Sequence, residues 1–257
     1  MIRSLDSIIR SNLWIYNQAR KRAVFLCRYF LLEEGFSFLR HITAAKGTVA
    51  LDIGSNDGTS IEMIRRLQPD VPIHAFDPII KPKLAHKYAD VTFHDVALSD
   101  SEGELELYIP TIHNLRLTQY SSNDPKKISS QLLGDFNVEQ SEISFEKVVS
   151  KKIALDSMKL NPYFMKIDVE GQEESVLSGA LQMILKNRPV LLIELQSFEA
   201  YRSIEKTMLD LDYFNLFWPQ VKRKWDFSQE GTYSRKTNNY LWLPRGHSQN
   251  WTLRETR

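Results

Sequence analysis

From Thr48 onward the spacing of hydrophobic positions changes repeatedly, and each change marks an element. "TVALDIG" carries the short continuous apolar run of a strand buried on both faces. "TSIEMIRRLQ" continues at helical spacing and stops before Pro69. "VPIHAFDP" reads as a second strand, "KPKLAHKYAD" as a helix and "VTFHDVALSD" as a third strand. This alternation predicts a parallel sheet covered by helices on both faces. "GELELYIP" then switches to period two, the pattern of an antiparallel strand. The polar stretch from Thr111 to about Ser144 reads as a long loop with one short helix, and loops of that length are usually functional or mobile. "FEKVVSKKIAL" is predicted as a second inserted strand. Alternation resumes with "YFMKIDVEG" (strand four), a helix across "EESVLSGALQMILKN", "PVLLIEL" (strand five) and a helix across "FEAYRSIEKTMLDLD". "YFNLFW" and "NNYLWLP" form a closing strand pair, joined by a charged loop containing "KRKWDFSQEG". The economical organisation is one α/β domain over 47–257 with an inserted strand–loop–strand at about 104–155. An N-terminal helical extension covers 1–46.

Composition narrows the class. The 257 residues are 42% hydrophobic and 25% charged, as in an ordinary soluble globular protein. A net charge of +1 gives no global field for a nucleic-acid partner. The single cysteine, Cys27, excludes an intrachain disulfide framework and a cysteine-built zinc site. The early run "AVFLCRYFLL" is short, contains Arg28 and lies too deep in the chain for a secretory signal, so the expected location is cytoplasmic. The first 46 residues hold eight Lys or Arg against three acids, interleaved with aromatics such as Trp14 and Tyr16. They read as helices packed on the main domain, or as a basic surface making weak contact with a membrane or an anionic substrate.

The densest chemistry lies in "VALDIGSNDGTS", Val49–Ser60. Asp52 sits near the end of strand one, and Gly54, Asn56 and Gly58 alternate after it. Such residues serve where φ is positive or where backbone must approach something closely. One would suffice for a turn; three favour a ligand. Asp77 ends strand two, where its carboxylate can accept from two vicinal ribose hydroxyls. In an open α/β sheet both places lie on the ligand-binding edge. The spacing G-x-x-x-G departs from the G-x-G-x-x-G of nicotinamide dinucleotide sites, and no P-loop lysine follows. Asp52 would repel a pyrophosphate but attract a cationic ligand such as S-adenosylmethionine. A nicotinamide-dependent oxidoreductase and a non-catalytic cofactor-binding module stay open as alternatives.

Taken in order, "LDIGSNDGTS", "AFDP", "VALSDSEGELELY", "LDSMKLNPYFMKIDVEGQEESVLSGA" and "RPVLLIEL" resemble the FkbM-type S-adenosylmethionine-dependent methyltransferases. The resemblance covers about Val49 to Leu195, and "KIDVEGQE" followed by "VLSGA" is its most specific part. Asp77 stands where a glutamate is more usual, and Ser55 where alanine is common. The resemblance implies a Rossmann-like class I methyltransferase fold: a mostly parallel seven-stranded sheet with helices on both faces and an antiparallel C-terminal strand. It implies O-methylation of a sugar, glycan or other small hydroxylated metabolite. It assigns Asp52, Gly54, Ser55, Asn56, Gly58 and Thr59 to the methionine part of the cofactor, and Asp77 with Pro78 to the ribose. Asp95 would lie near the adenine amine, with Ala97 and Leu98 against the ring; Asp95 reads equally as a surface turn residue.

Lys166, Asp168 and Glu170 alternate at the end of strand four, and Glu194 ends strand five. An unpaired ammonium inside an apolar strand is costly, so Lys166 should pair with Asp168, Glu170 or Glu194. Acids clustered at the central sheet edge are candidates for orienting and deprotonating an acceptor hydroxyl. An oxygen-rich magnesium or calcium site from these acids is the less favoured alternative, and no metal is assigned. His113, in the inserted loop, is the next candidate base.

Overall fold

The computed structural model describes residues 34–79, 82–217, 226–234 and 237–254, with the single positions 15, 18, 19, 22 and 26. Trp14, Tyr16 and most of the basic N-terminal stretch lie outside the described residues. In chain order the first elements are β1 (Ile42–Ala44), β2 (Val49–Ile53), α1 (Thr59–Leu67), β3 (Ile73–Phe76), α2 (Pro82–Lys87) and β4 (Thr92–His94). Next come β5 (Ala97–Leu98), β6 (Gly103–Ile112), β7 (Leu115–Arg116), α3 (Pro125–Asp135), β8 (Ile143–Ile153) and β9 (Pro162–Ile167). The chain continues with α4 (Glu173–Ser178), α5 (Leu181–Asn187), β10 (Val190–Glu194) and α6 (Phe198–Asp210). It closes with β11 (Tyr213–Phe217), β12 (Asp226–Glu230), β13 (Asn239–Pro244) and β14 (Trp251–Leu253).

The main sheet runs β12-β11-β13-β10-β9-β2-β3-β4. From β10 to β4 all neighbours are parallel, and β13 is antiparallel to both β10 and β11. This is the expected doubly wound sheet with one strand more. Part of the stretch read as a charged loop forms β12, which pairs antiparallel along β11. Main-chain pairing at a sheet edge needs no apolar pattern to announce it. The strand order reverses between β2 and β9, so their carboxyl ends flank the crevice where ligands bind in such sheets.

Alternating side chains divide the sheet's contacts into two cores. Ala50, Ile73, Ala75, Phe164 and Leu192 face α1, α2 and a 3₁₀ turn at Glu34–His41. Leu51, Ile53, Phe76, Met165, Ile167, Leu191 and Ile193 face α4, α5 and α6. On this alternation Asp52 and Lys166, opposite each other in the β2–β9 register, share the first face. Within the segment expected to be helical, Ile42–Ala44 instead pairs antiparallel with Trp251–Leu253.

Two predicted elements divide. The third strand turns at Asp95: β4 stays beside β3, while β5 leaves to pair with β8. The helix after strand four breaks at Gly179, where a Cβ would sit 1.9 Å from the Ser99 carbonyl oxygen. Asp156 then caps α5 by accepting from the amides of Gln182 and Met183 at 2.9 and 2.8 Å. The polar stretch 111–144 is largely ordered. β6 and β8 pair across ten positions, and Ile112, Leu117, Ile128, Leu132, Phe136 and Ile143 form a small core of their own. That core is drawn from apolar residues spread over 31 positions, too sparse for a periodic signal. Among the described residues, no helix is long and apolar enough to cross a membrane.

Candidate active site

The turn after β2 is built against the end of β9. Asp168 donates its amide to the Ile53 carbonyl at 3.0 Å. Gly54 has φ +85, and a Cβ there would lie 1.8 Å from the Asp168 carbonyl oxygen. Only glycine allows the two strand tips to touch backbone to backbone. Asn56, at φ 39, donates its amide to Asp77 Oδ2 at 2.8 Å, tying the turn to the tip of β3. Gly58 has a different role: a Cβ there would lie 2.8 Å from Leu84 and Tyr88, so it serves the packing of α2. The three permissive residues therefore answer to a strand contact, a strand-tip bond and a helix contact. The ligand signal lies instead in Ser55, whose buried Oγ on the cavity wall has no hydrogen-bond partner among the described residues.

Asp52 lies beneath this turn rather than on the cavity wall. It is fully buried, and its Oδ2 accepts from Ser60 Oγ at 2.6 Å while Oδ1 has no hydrogen-bond partner among the described residues. Burial pushes its carboxyl up to about 6, against the opposing pull of Lys166 and of the Ser60 bond.

A cavity of about 680 Å³ opens over the carboxyl edge of the sheet. At one end stand Gly54, Ser55, Asn56, Thr59, Asp77 and Pro78. Asp77 accepts from Asn56 and Ile79 through separate oxygens, at 2.8 and 2.7 Å. Beside it Phe76, Val96, Ala97 and Leu98 make an apolar wall, which Leu105 and Leu107 of β6 extend. His94 stacks on Phe76 at 4.4 Å and 11°, and its own ring meets His74 at 2.9 Å. Asp95, expected near the adenine amine, is exposed and off the wall; Val96 lines the cavity beside Ala97 and Leu98 instead.

The other end holds Lys166, Asp168, Glu170 and Glu194, brought together by the tips of β9 and β10. Lys166 is 3% exposed and pairs with Asp168 Oδ2 at 2.5 Å. Glu170 sits at φ 53, and burial together with the Asp168 charge pushes its carboxyl up to about 7. Gln196 donates to the Glu170 side chain, and Gln131 of α3 donates to Gln196 at 2.7 Å. Lys127 of α3 donates to the Glu170 carbonyl at 3.1 Å. Thr118 donates to Asn56 Oδ1 at 2.9 Å. The insert thus bonds both ends of the cavity and adds Thr118, Tyr120, Gln131 and Asp135 to its wall. Of these only Tyr120 is conspicuous in the sequence; the rest lie in a polar stretch that marks a region and no residue. His113 is off the wall and paired with Glu142 at 2.7 Å. Among the described residues, no group of three His, Cys, Asp or Glu could hold a metal ion.

A buried hydroxyl without a partner among the described residues, a strand-tip carboxylate and an apolar wall fit a nucleoside carrying a polar, cationic arm. The fold and cavity are those of a Rossmann-like protein with its ligand over the switch point. The chain belongs to the FkbM methyltransferase family: the model of the methyltransferase FkbM domain matches residues 52–214. The family implies S-adenosylmethionine as methyl donor; of the cofactor classes left open by the glycine spacing, this is the one the family takes. Among solved structures the chain is similar to methyltransferase FkbM from Methylobacillus flagellatus KT. Identity is 13% and TM-score 0.47, over 91% of this chain and 61% of that one. A precorrin-6y C5,15-methyltransferase from Geobacter metallireducens GS-15 matches at 14% identity and TM-score 0.38, over 81% and 83% of the two chains. No curated protein sequence matches significantly.

Proposed function

We propose that the protein transfers a methyl group from S-adenosylmethionine to a hydroxyl oxygen of a sugar or other small hydroxylated metabolite. The observation that carries this reading is Glu170: a carboxylate with its proton affinity raised to about 7, on the wall of the same cavity as Ser55 and Asp77. Asp77 would accept from the ribose hydroxyls, Ser55 would bond the polar arm, and the Phe76–Leu98 wall would hold the flat base. The cofactor supplies a methyl group on a sulfonium, already activated for displacement by an oxygen lone pair.

A sugar hydroxyl is a poor nucleophile at neutral pH, so its proton must leave as the new carbon–oxygen bond forms. Glu170 takes that proton. A base works best when its pKa lies near the working pH, which favours Glu170 over the ion-paired Asp168. Lys166 holds Asp168 and Gln196 holds the Glu170 carboxyl, so both acids are kept at fixed positions on the wall. Asp52, opposite Lys166, places negative charge beneath the turn where a cationic arm would lie. The test is turnover of Glu170→Gln with cofactor affinity measured alongside. Loss of rate with affinity retained supports the assignment. Near-normal turnover moves the base to Asp168 or Glu194.

A further inference from the structure

Helix α3 of the insert turns one polar face to the acid end of the cavity. Lys127, Gln131 and Asp135 follow one another at intervals of four, which places them on one side of the helix. Ile128 and Leu132 bury the adjoining side in the insert's own core, so the helix is held from behind. Lys127 donates to the Glu170 carbonyl, Asp135 is on the cavity wall, and Gln131 Nε2 donates to Gln196 Oε1 at 2.7 Å. Gln196 in turn donates through Nε2 to Glu170 Oε2. Two amides thus form a chain of donors running from the insert to the carboxyl. The Gln196 side chain is exposed, so packing does not fix it; its two amide bonds do.

Resting on the reading of Glu170 as the base, we infer that Gln131 is a positioning residue of the reaction: acting through Gln196, it keeps a donor on Glu170 Oε2 and leaves Oε1 to take the proton of the acceptor hydroxyl. An amide has a donor end and an acceptor end, and with Gln131 donating to its oxygen Gln196 presents its nitrogen to Glu170. Were Gln196 to turn over, its carbonyl oxygen would face the carboxyl, which could satisfy it only by keeping a proton. A protonated carboxyl cannot serve as base. Oε1 takes the proton as the acceptor oxygen gives its lone pair to the methyl carbon, and the pair of the broken carbon–sulfur bond stays on sulfur. The charged groups around Glu170 do not supply this orientation. Asp168 at the tip of β9 and Glu173 of α4 raise its proton affinity, while Lys127 lowers it from the carbonyl side. Lys166 is paired with Asp168, and Glu194 shares the wall. The Gln196 bond lowers the proton affinity directly, and a donor to an anion is strengthened when its own oxygen is engaged, which is how Gln131 acts at one remove.

The test uses the full chain, labelled with carbon-13 in its glutamate and glutamine side chains, with no acceptor present. Glu170→Gln identifies the Glu170 carboxyl signal. Gln131→Met, which keeps a good helix former on α3, should raise the pH at which that carboxyl titrates by about 0.5–1 unit, and Gln196→Met by at least as much. The double variant should titrate where Gln196→Met does, because Gln131 reaches the carboxyl only through Gln196. The Gln196 side-chain amide should also exchange with solvent faster in Gln131→Met than in the wild type. A merely structural role would lower the melting temperature and leave the titration where it was. An unmoved titration in Gln131→Met, or shifts that simply add in the double variant, overturns the inference. Because no acceptor enters, these outcomes stand apart from the methyl-transfer reading, which near-normal turnover of Glu170→Gln would strike on its own.

Discussion

Glu170 and Asp52 both hold their protons more tightly in the folded chain than in the unfolded one, where carboxyls titrate near pH 4. The sign of the stability effect follows. The folded state binds more protons between about pH 4 and pH 7, so this contribution is complete below pH 4 and is lost as pH rises through about 6 for Asp52 and about 7 for Glu170. Urea midpoints should therefore fall between pH 5 and pH 7.5, and Asp52→Asn and Glu170→Gln should each narrow that fall. An unchanged fall in both variants would show that neither carboxyl is perturbed. Catalysis runs the opposite way, because the base must be ionised to accept a proton. The rate should rise with pH through about 7, and Glu170→Gln should remove this limb and cost about a hundredfold in rate.

At the scale of elements, the contact between the tips of β2 and β9 and the bonds from the insert set the site. Gly54→Ala drives a Cβ to 1.8 Å from backbone at a positive φ, so neither partner can give way cheaply. A loss of stability on the order of 3 kcal/mol or more is expected. Gly134→Ala is its counterpart. Gly134 lies near the end of α3 with nothing within 4 Å of a new Cβ, and calorimetric melting should show a gain of about 0.5–1 kcal/mol. Lys127 reaches from α3 to Glu170 and lowers its proton affinity. Lys127→Met should move the acid limb of the rate profile to higher pH, and Lys127→Arg should restore it. A uniform loss of rate with the limb unmoved would make Lys127 merely structural. Little of this was legible beforehand. The apolar runs of β2, β3, β9 and β10 announce themselves because both their faces are buried. The insert's bonds to Asn56, Glu170 and Gln196 join residues 43 to 65 positions apart, which no local pattern records.

For the whole molecule, the order of strands turns a linear list of acids into a site. Asp77, Asp168, Glu170 and Glu194 could be named from the sequence because each follows an apolar strand, and parallel strands deliver their ends to one edge. Asp52 and Gly58 were legible as special but not in their roles: one lies under the turn, the other against α2. Asp95 fails to reach the wall because the chain changes sheets there, a choice of partner that its sequence does not advertise. The central claim is that S-adenosylmethionine sits in this cavity with its ribose on Asp77. Titration calorimetry of the full chain with S-adenosylmethionine, for wild type, Asp77→Asn and Asp77→Ala, tests it directly. The account predicts one site per chain and a loss of about 1.5–3 kcal/mol in Asp77→Ala, or roughly ten- to a hundredfold in Kd, with Asp77→Asn in between. No binding to the wild type, or equal affinity in all three proteins, would contradict it.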